Sequence, residues 1–213
     1  MKRLFLASIL VVLLAGGVSA AELGFGLKAG LNMANLHGTD ADDLNLGWKT
    51  GFAAGAFANI AFTPVISLQP EALYVMDGAS MSVLVVDVDF KVDYIQIPIL
   101  VKFDIPVAGT IVPALYAGPY IGFLMGAEIE ASYEDESESV DVKDYTKSMD
   151  YGLTFGAAID FNLAAAKLFF EGRYNYGLTT IDDSWGEDVF GEPGLGELDI
   201  KNHSIMFMVG VAF

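Results

Sequence analysis

Eight stretches of this sequence alternate apolar side chains with small or polar ones at a period of two, and that pattern constrains the fold more than any other feature. In the first, Leu23, Phe25, Leu27, Ala29, Leu31 and Met33 share one face, while Gly24, Gly26, Lys28, Gly30 and Asn32 share the other. Successive side chains of a strand point to opposite faces, so such a stretch reads as a strand with one greasy side. The second opposes Trp48, Thr50, Phe52, Ala54 and Ala56 to Lys49, Gly51, Ala53, Gly55 and Asn59; the third opposes Ile66, Leu68, Ala72, Tyr74 and Met76 to Ser67, Gln69 and Glu71. The fourth sets Ile95, Ile97, Ile99, Val101 and Phe103 against Gln96, Leu100 and Lys102, and the fifth sets Leu115, Ala117, Ile121 and Phe123 against Tyr116, Gly118, Tyr120 and Gly122. Residues 151–161, 168–178 and 204–213 repeat the pattern. Beyond Leu14 no run approaches the roughly 18 continuous apolar residues of a helical membrane span.

The polarity is inverted relative to a soluble sheet. Glycine and charge gather on one face and aliphatic and aromatic residues on the other, whereas the solvent face of a soluble sandwich or barrel would carry more Lys and Glu and less glycine. Lipid outside and a narrow lumen inside fit the pattern. About 9 to 11 tilted residues span a bilayer as a strand, and an even number of strands closes without an edge. The sequence therefore predicts an all-β fold, an eight-stranded antiparallel up-and-down transmembrane β-barrel with short periplasmic turns and long extracellular loops.

Composition narrows the function classes. The chain is 54% hydrophobic with a mean hydropathy of +0.47, yet its formal charge is −17. It is no disordered acidic tail, and a deficit of Lys and Arg excludes nucleic acid as a partner. The absence of cysteine excludes disulfides, thiolate metal sites and a cysteine nucleophile. Met1, Lys2 and Arg3, an apolar run to Leu14 and the small residues Val18-Ser19-Ala20 form a signal peptide over residues 1–20, leaving a barrel domain over 21–213.

The connections between stretches count 13, 5, 14, 9, 24, 5 and 22 residues, so long and short alternate. With both termini periplasmic, the four long ones face the exterior; they hold 21 acids and only two bases, Lys143 and Lys147, which assigns the net charge to one rim. Trp48, Tyr74, Tyr151 and Tyr176 face outward near that rim and Phe25, Phe103, Phe161 and Phe213 near the other, as two aromatic girdles would. Pro70, Pro98 and Pro119 fall inside strands, where a missing N–H predicts a bulge or local break at each.

Parity turns Lys28, Lys49, Glu71, Lys102, Asp160, Glu171 and Arg173 into the lumen. An eight-stranded interior is just wide enough for side chains to fill, so these charges are expected to pair into a polar plug rather than line an open pore. The rival reading is a porin-like conduit for small solutes or ions. Catalysis is a third. His37 and His203, toward the outer rim, could meet Ser80, Ser82 or Ser184, but no nucleophile elbow accompanies them, so no catalytic residue and no cofactor is expected. Glu134, Asp135, Glu136 and Glu138, with Asp182 and Asp183, offer hard oxygen ligands for weak divalent bridging to lipopolysaccharide, though none follows a calcium-loop pattern.

Several stretches resemble the PorT-like outer-membrane β-barrel domain family. The likeness lies in Gly26-Leu27-Lys28-Ala29-Gly30-Leu31-Asn32, Ser67-Leu68-Gln69-Pro70-Glu71-Ala72-Leu73-Tyr74, Tyr94-Ile95-Gln96-Ile97-Pro98-Ile99-Leu100, Ala117-Gly118-Pro119-Tyr120 and Arg173-Tyr174-Asn175-Tyr176-Gly177-Leu178. The resemblance implies a barrel integral to a bacterial outer membrane. It also implies that Phe207, Val209, Val211 and Phe213 act as a C-terminal signal for the barrel-assembly machinery. Taken together, the residues read as a monomer with a structural or interaction role in the envelope, its expected partners outer-membrane lipid and lipopolysaccharide.

Overall fold

Eight antiparallel strands close into a ring in the computed structural model, which describes residues 22–43, 46–83, 86–133, 136–163, 165–183 and 198–213. They are β1 (Glu22–His37), β2 (Gly47–Ala61), β3 (Ile66–Val83), β4 (Val86–Asp104), β5 (Ile111–Tyr133), β7 (Met149–Asn162), β8 (Lys167–Gly177) and β9 (Lys201–Ala212), with a short ninth strand, β6 (Glu136–Asp141), outside the ring. Each ring strand pairs with its neighbour and β9 returns to β1, so no ring edge is left unpaired. Phe213 completes the seam, its N–H donating to the Phe25 carbonyl at 2.8 Å and its carbonyl accepting the Phe25 N–H at 3.1 Å. The signal peptide read over residues 1–20 lies outside the described residues.

Two connections expected as loops are strand. β3 runs on to Val83 and β4 begins at Val86, with pairing from Asp77–Val92 to Val83–Val86, so residues 77–83 and 86–90 are paired strand. β5 likewise runs to Tyr133 and folds back as β6. Alternation persists through Ala79, Phe90, Val92 and Ala127, all buried, and that apolar face sustains the strands beyond the spanning region. The helix α1 (Thr39–Asp43) and a 3-10 turn at Lys143–Tyr145 complete the described part of this end.

At the prolines the ladder breaks without slipping. Pairing of β3 with β4 skips Glu71 and Ala72 opposite Ile97 and Pro98, and pairing of β4 with β5 skips Ile99 and Leu100 opposite Gly118 and Pro119, with the same register on both sides. The register shifts fall elsewhere, between Trp48 and Ala53 of β2 and at Asp93–Tyr94 of β4.

The wall is thin on its inner side because glycine faces rings. A Cβ on Gly26 would stand 2.3 Å from the Phe57 ring, and one on Gly152 2.3 Å from that of Tyr120. Small residues opposite large ones let a narrow barrel fill itself. On β3 the inward residues, in order of height from the short-turn end, are Ser67, Gln69, Glu71, Leu73, Val75, Asp77 and Ala79, all buried. That one strand samples every layer of the interior.

Candidate functional site

The lumen is the site, and it is stratified. Nearest the short turns, the buried Asp160 carboxylate meets Lys102 at 2.7 Å and Lys167 at 3.2 Å, and Lys102 also lies 3.7 Å from Asp104. One layer deeper, Lys28 sits 2.6 Å from Glu71 and 3.0 Å from Glu171, while Arg173 reaches Glu71 at 2.9 Å and Glu171 at 2.6 Å. Gln69 donates a further hydrogen bond to Glu71 at 2.7 Å. The aromatic walls reinforce the cations: Lys28 lies 5.3 Å from the Phe57 ring centroid and Arg173 5.4 Å from that of Tyr116. Two bases meet two acids in this tetrad, all four shut off from solvent. Each charge therefore depends on the others for the solvation it has lost.

Above the tetrad, Ala53, Leu73, Val75, Met206 and Met208 form an apolar layer. A second polar layer follows. Asp77 accepts from Asn32 Nδ2 at 2.7 Å and Gln96 Nε2 at 3.1 Å, and Asn175 joins Gln96 to Thr154. Asp150 accepts from Thr179 Oγ1 at 2.9 Å, Tyr120 OH at 3.1 Å and Asn202 Nδ2 at 3.3 Å. Over this lies an apolar cap made by Leu36, Ala41, Ala79, Phe90, Val92, Tyr94, Ala127, Val142, Ile181 and Ile200.

Six of the seven inward charges read from the sequence thus meet in two groups near the short-turn end. The seventh, Lys49, stands apart at the other end, 3.2 Å from Asp89. Sequence reasoning missed Asp77 and Asp150. Asp77 was assigned to an outer loop and its charge to the rim, but it is an inward residue of β3, so part of the charge given to the rim lies inside. The signal was available: Asp77 continues the odd-numbered face of Gln69 and Glu71, and Asp150 the even-numbered face of Gly152 and Thr154.

The outer surface holds the aromatic residues expected there. Trp48, Tyr151 and Tyr176 are exposed, and the half-buried Tyr74 donates its hydroxyl to Asp93 at 2.5 Å. Both histidines belong to this outward group. His37 stacks on Tyr176 at 4.7 Å between ring centroids, and His203 meets Trp48 edge to face at 4.9 Å. Ser184 lies outside the described residues. Phe207, Val209 and Phe213 are exposed on the outer face of β9, and Val211 is half-buried there.

Among the acidic candidates, Glu134 and Asp135 lie outside the described residues, Glu136 and Glu138 are exposed on β6, and Asp183 is exposed after β8. Asp182 is buried, its Oδ2 accepting the Leu198 N–H at 2.6 Å, which ties the loop after β8 to the start of β9. Among the described residues no group of three or more His, Asp or Glu side chains is arranged to hold a metal ion. At the rim, Asp199 takes hydrogen bonds from Lys201 and from the Thr39 N–H, which hold its carboxyl below the usual range.

Known structures share this architecture. Neisserial surface protein A superposes with a TM-score of 0.50 at 14% identity, covering 88% of this chain and 95% of that one. A major outer membrane protein from Thermus thermophilus gives a TM-score of 0.50 at 13% identity, covering 90% of this chain and 99% of that one. At such identities the likeness shows the fold alone. No curated protein is matched by the sequence. Residues 17–183 match the outer membrane protein beta-barrel domain, more than half of the chain, and the chain belongs to that family.

Proposed function

We propose that this protein is a closed barrel of the bacterial outer membrane that serves as a structural or interaction platform, exported by cleavage after Ala20 and presenting acidic hairpins to the exterior. The carrying observation is the stratified lumen. Two ion-paired layers, an apolar layer, a polar layer and an apolar cap succeed one another along the axis, and a water-filled path would have to cross all of them. At the short-turn end the interior opens into a vestibule of about 950 Å³ lined by Asn59, Ser67, Asp104 and Lys167, and beyond it only about 30 Å³ of space lies among Lys102, Gln69 and Glu171.

In this reading Trp48, Tyr74, Tyr151 and Tyr176 sit at the outer interface against lipid and lipopolysaccharide, and Phe207, Val209, Val211 and Phe213 address the assembly machinery. The motifs of β1, β3, β4, β5 and β8 support a place among PorT-like members, and the closed ring supports a monomer. Planar-bilayer conductance of the refolded protein, with a heat-modifiability gel to certify folding, tests the proposal. A folded, silent barrel is the expected result. Discrete and reproducible channel steps would replace it with the conduit reading.

A further inference from the structure

Two carboxylates in the outer half of the lumen meet no neutralising base among the described residues. Asp77 and Asp150 are 2% and 0% exposed. Among the described residues neither has a Lys, Arg or His within salt-bridge distance. Their described donors are neutral: the Asn32 and Gln96 amides and the Ser204 hydroxyl on Asp77, and the Thr179 and Tyr120 hydroxyls, the Asn202 amide and the Tyr151 backbone N–H on Asp150. Neutral donors solvate an ion incompletely, and buried charge of one sign calls for a counter-charge.

A second observation points to what supplies it. Asn32 and Asn202 are 0% and 3% exposed, and the Oδ1 atom of each is buried with no hydrogen-bond donor. The Asn32 amide rests against Asp77 and the Asn202 amide against Asp150. Turning the Asn32 amide over would set its oxygen against Asp77; turning the Asn202 amide over would bring its oxygen to the Tyr94 hydroxyl, 3.4 Å away, but would also set it against Asp150. In both orientations the cluster has more acceptors than donors. Asn202 and Asn32 approach from β9 and β1, Asp77 from β3 and Asp150 from β7, so the donor set is drawn from four strands of a closed ring.

Two carboxylates and two amide oxygens make a hard, all-oxygen set with a charge of −2, which suits calcium better than a transition metal. We infer that the outer half of the lumen is a binding site for a divalent cation of the calcium class, held by the Asp77 and Asp150 carboxylates with the Asn32 and Asn202 side-chain oxygens. The site is distinct from the exposed acids of β6. It lies between the apolar layer below and the apolar cap above, so the ion is acquired as the barrel forms.

The test is refolding of the protein into nonionic detergent micelles, free of anionic lipid, in millimolar calcium, magnesium or EDTA, followed by thermal melting. Calcium should raise the melting temperature by about 5 °C or more. Magnesium, which gives up its water less readily, should raise it less. The isosteric double variant Asp77→Asn/Asp150→Asn should melt at one temperature in calcium and in EDTA, and in EDTA at or above the wild type. Terbium luminescence sensitised by the neighbouring Tyr94 and Tyr120 reads binding directly and should disappear in the double variant. The Glu136→Gln/Glu138→Gln variant should keep the whole response. A wild type whose melting ignores calcium and which does not sensitise terbium overturns the inference. So does a calcium response that survives in the Asp77/Asp150 double variant, or one lost with the β6 acids.

Discussion

In the inner half of the lumen three buried carboxylates, Glu71, Glu171 and Asp160, meet four bases; in the outer half Asp77 and Asp150 meet none among the described residues. Both halves lie within one closed ring, and an apolar layer built on Leu73, Val75 and Met206 separates them. The difference teaches that a neutral barrel is not the same as a locally neutral one. The inner half carries its counter-charges in its own sequence, although Arg173 Nε, Asp160 Oδ1 and the Tyr116 hydroxyl are buried there without a hydrogen-bond partner among the described residues. The outer half buries two carboxyl groups with no described base beside them, so its stability depends on what surrounds the chain as well as on the chain.

The sharpest way to break this contrast is to remove one base from the inner half. Arg173→Met leaves Glu71 and Glu171 to share Lys28, and it should cost about 3–5 kcal/mol of unfolding free energy, measured by denaturant titration in micelles. Asp77→Asn in EDTA should cost nothing measurable or stabilise. Equal losses in the two would end the distinction between the halves. Next in size is the coupling within the tetrad. Glu71→Gln and Arg173→Gln combined should fall short of the sum of the single losses by about 1–3 kcal/mol in a double-mutant cycle.

Gly78 follows, beside Asp77 in β3. Its φ of +134° is a backbone conformation that side chains resist, and a Cβ there would meet the Phe90 carbonyl oxygen at 1.9 Å. Gly78→Ala should therefore destabilise by about 1–3 kcal/mol and move the outer half while leaving the tetrad intact. Hydrogen exchange resolved by strand would separate the two. The smallest effect belongs to the rim. Because the folded carboxyl of Asp199 is depressed, it favours the folded loop above the unfolded value and loses that contribution as the pH falls below about 4. Proteolysis of the 177–201 connection should rise with acidification in the wild type, and Asp199→Asn should flatten that response.

The fold was legible because the membrane imposes a period-two code with a fixed sense. Leu27 and Leu31 outward against Lys28 and Asn32 inward leaves no other placement for β1. The inner charges were legible for the same reason, since Lys28, Glu71, Glu171 and Arg173 fall on the inward parity of their strands. The outer half was harder to read. Asp77-Gly78 looks like a turn, and only the alternation on either side, through Val75 and Ala79, reveals that the strand continues. Parity also cannot show whether two inward acids have bases at their own height, because that depends on the stagger between strands. The apolar cap escaped notice for a related reason, its residues being scattered from Leu36 to Ile200 over segments read largely as polar connections.

β5 exchanges partners along its length, pairing with β7 up to Phe123 and with β6 from Glu128 to Tyr133. From Phe123 to Tyr133 a strand tilted as in a barrel climbs roughly 25 Å. The electrostatic screening length at physiological ionic strength is only about 8 Å. Tyr133, where described β5 ends, is therefore about three screening lengths beyond the last rung shared with β7, too far for a charge at that height to reach the ion pairs of the lumen. Acids added or removed along β6 would therefore leave the electrostatic balance of the barrel that carries them unchanged.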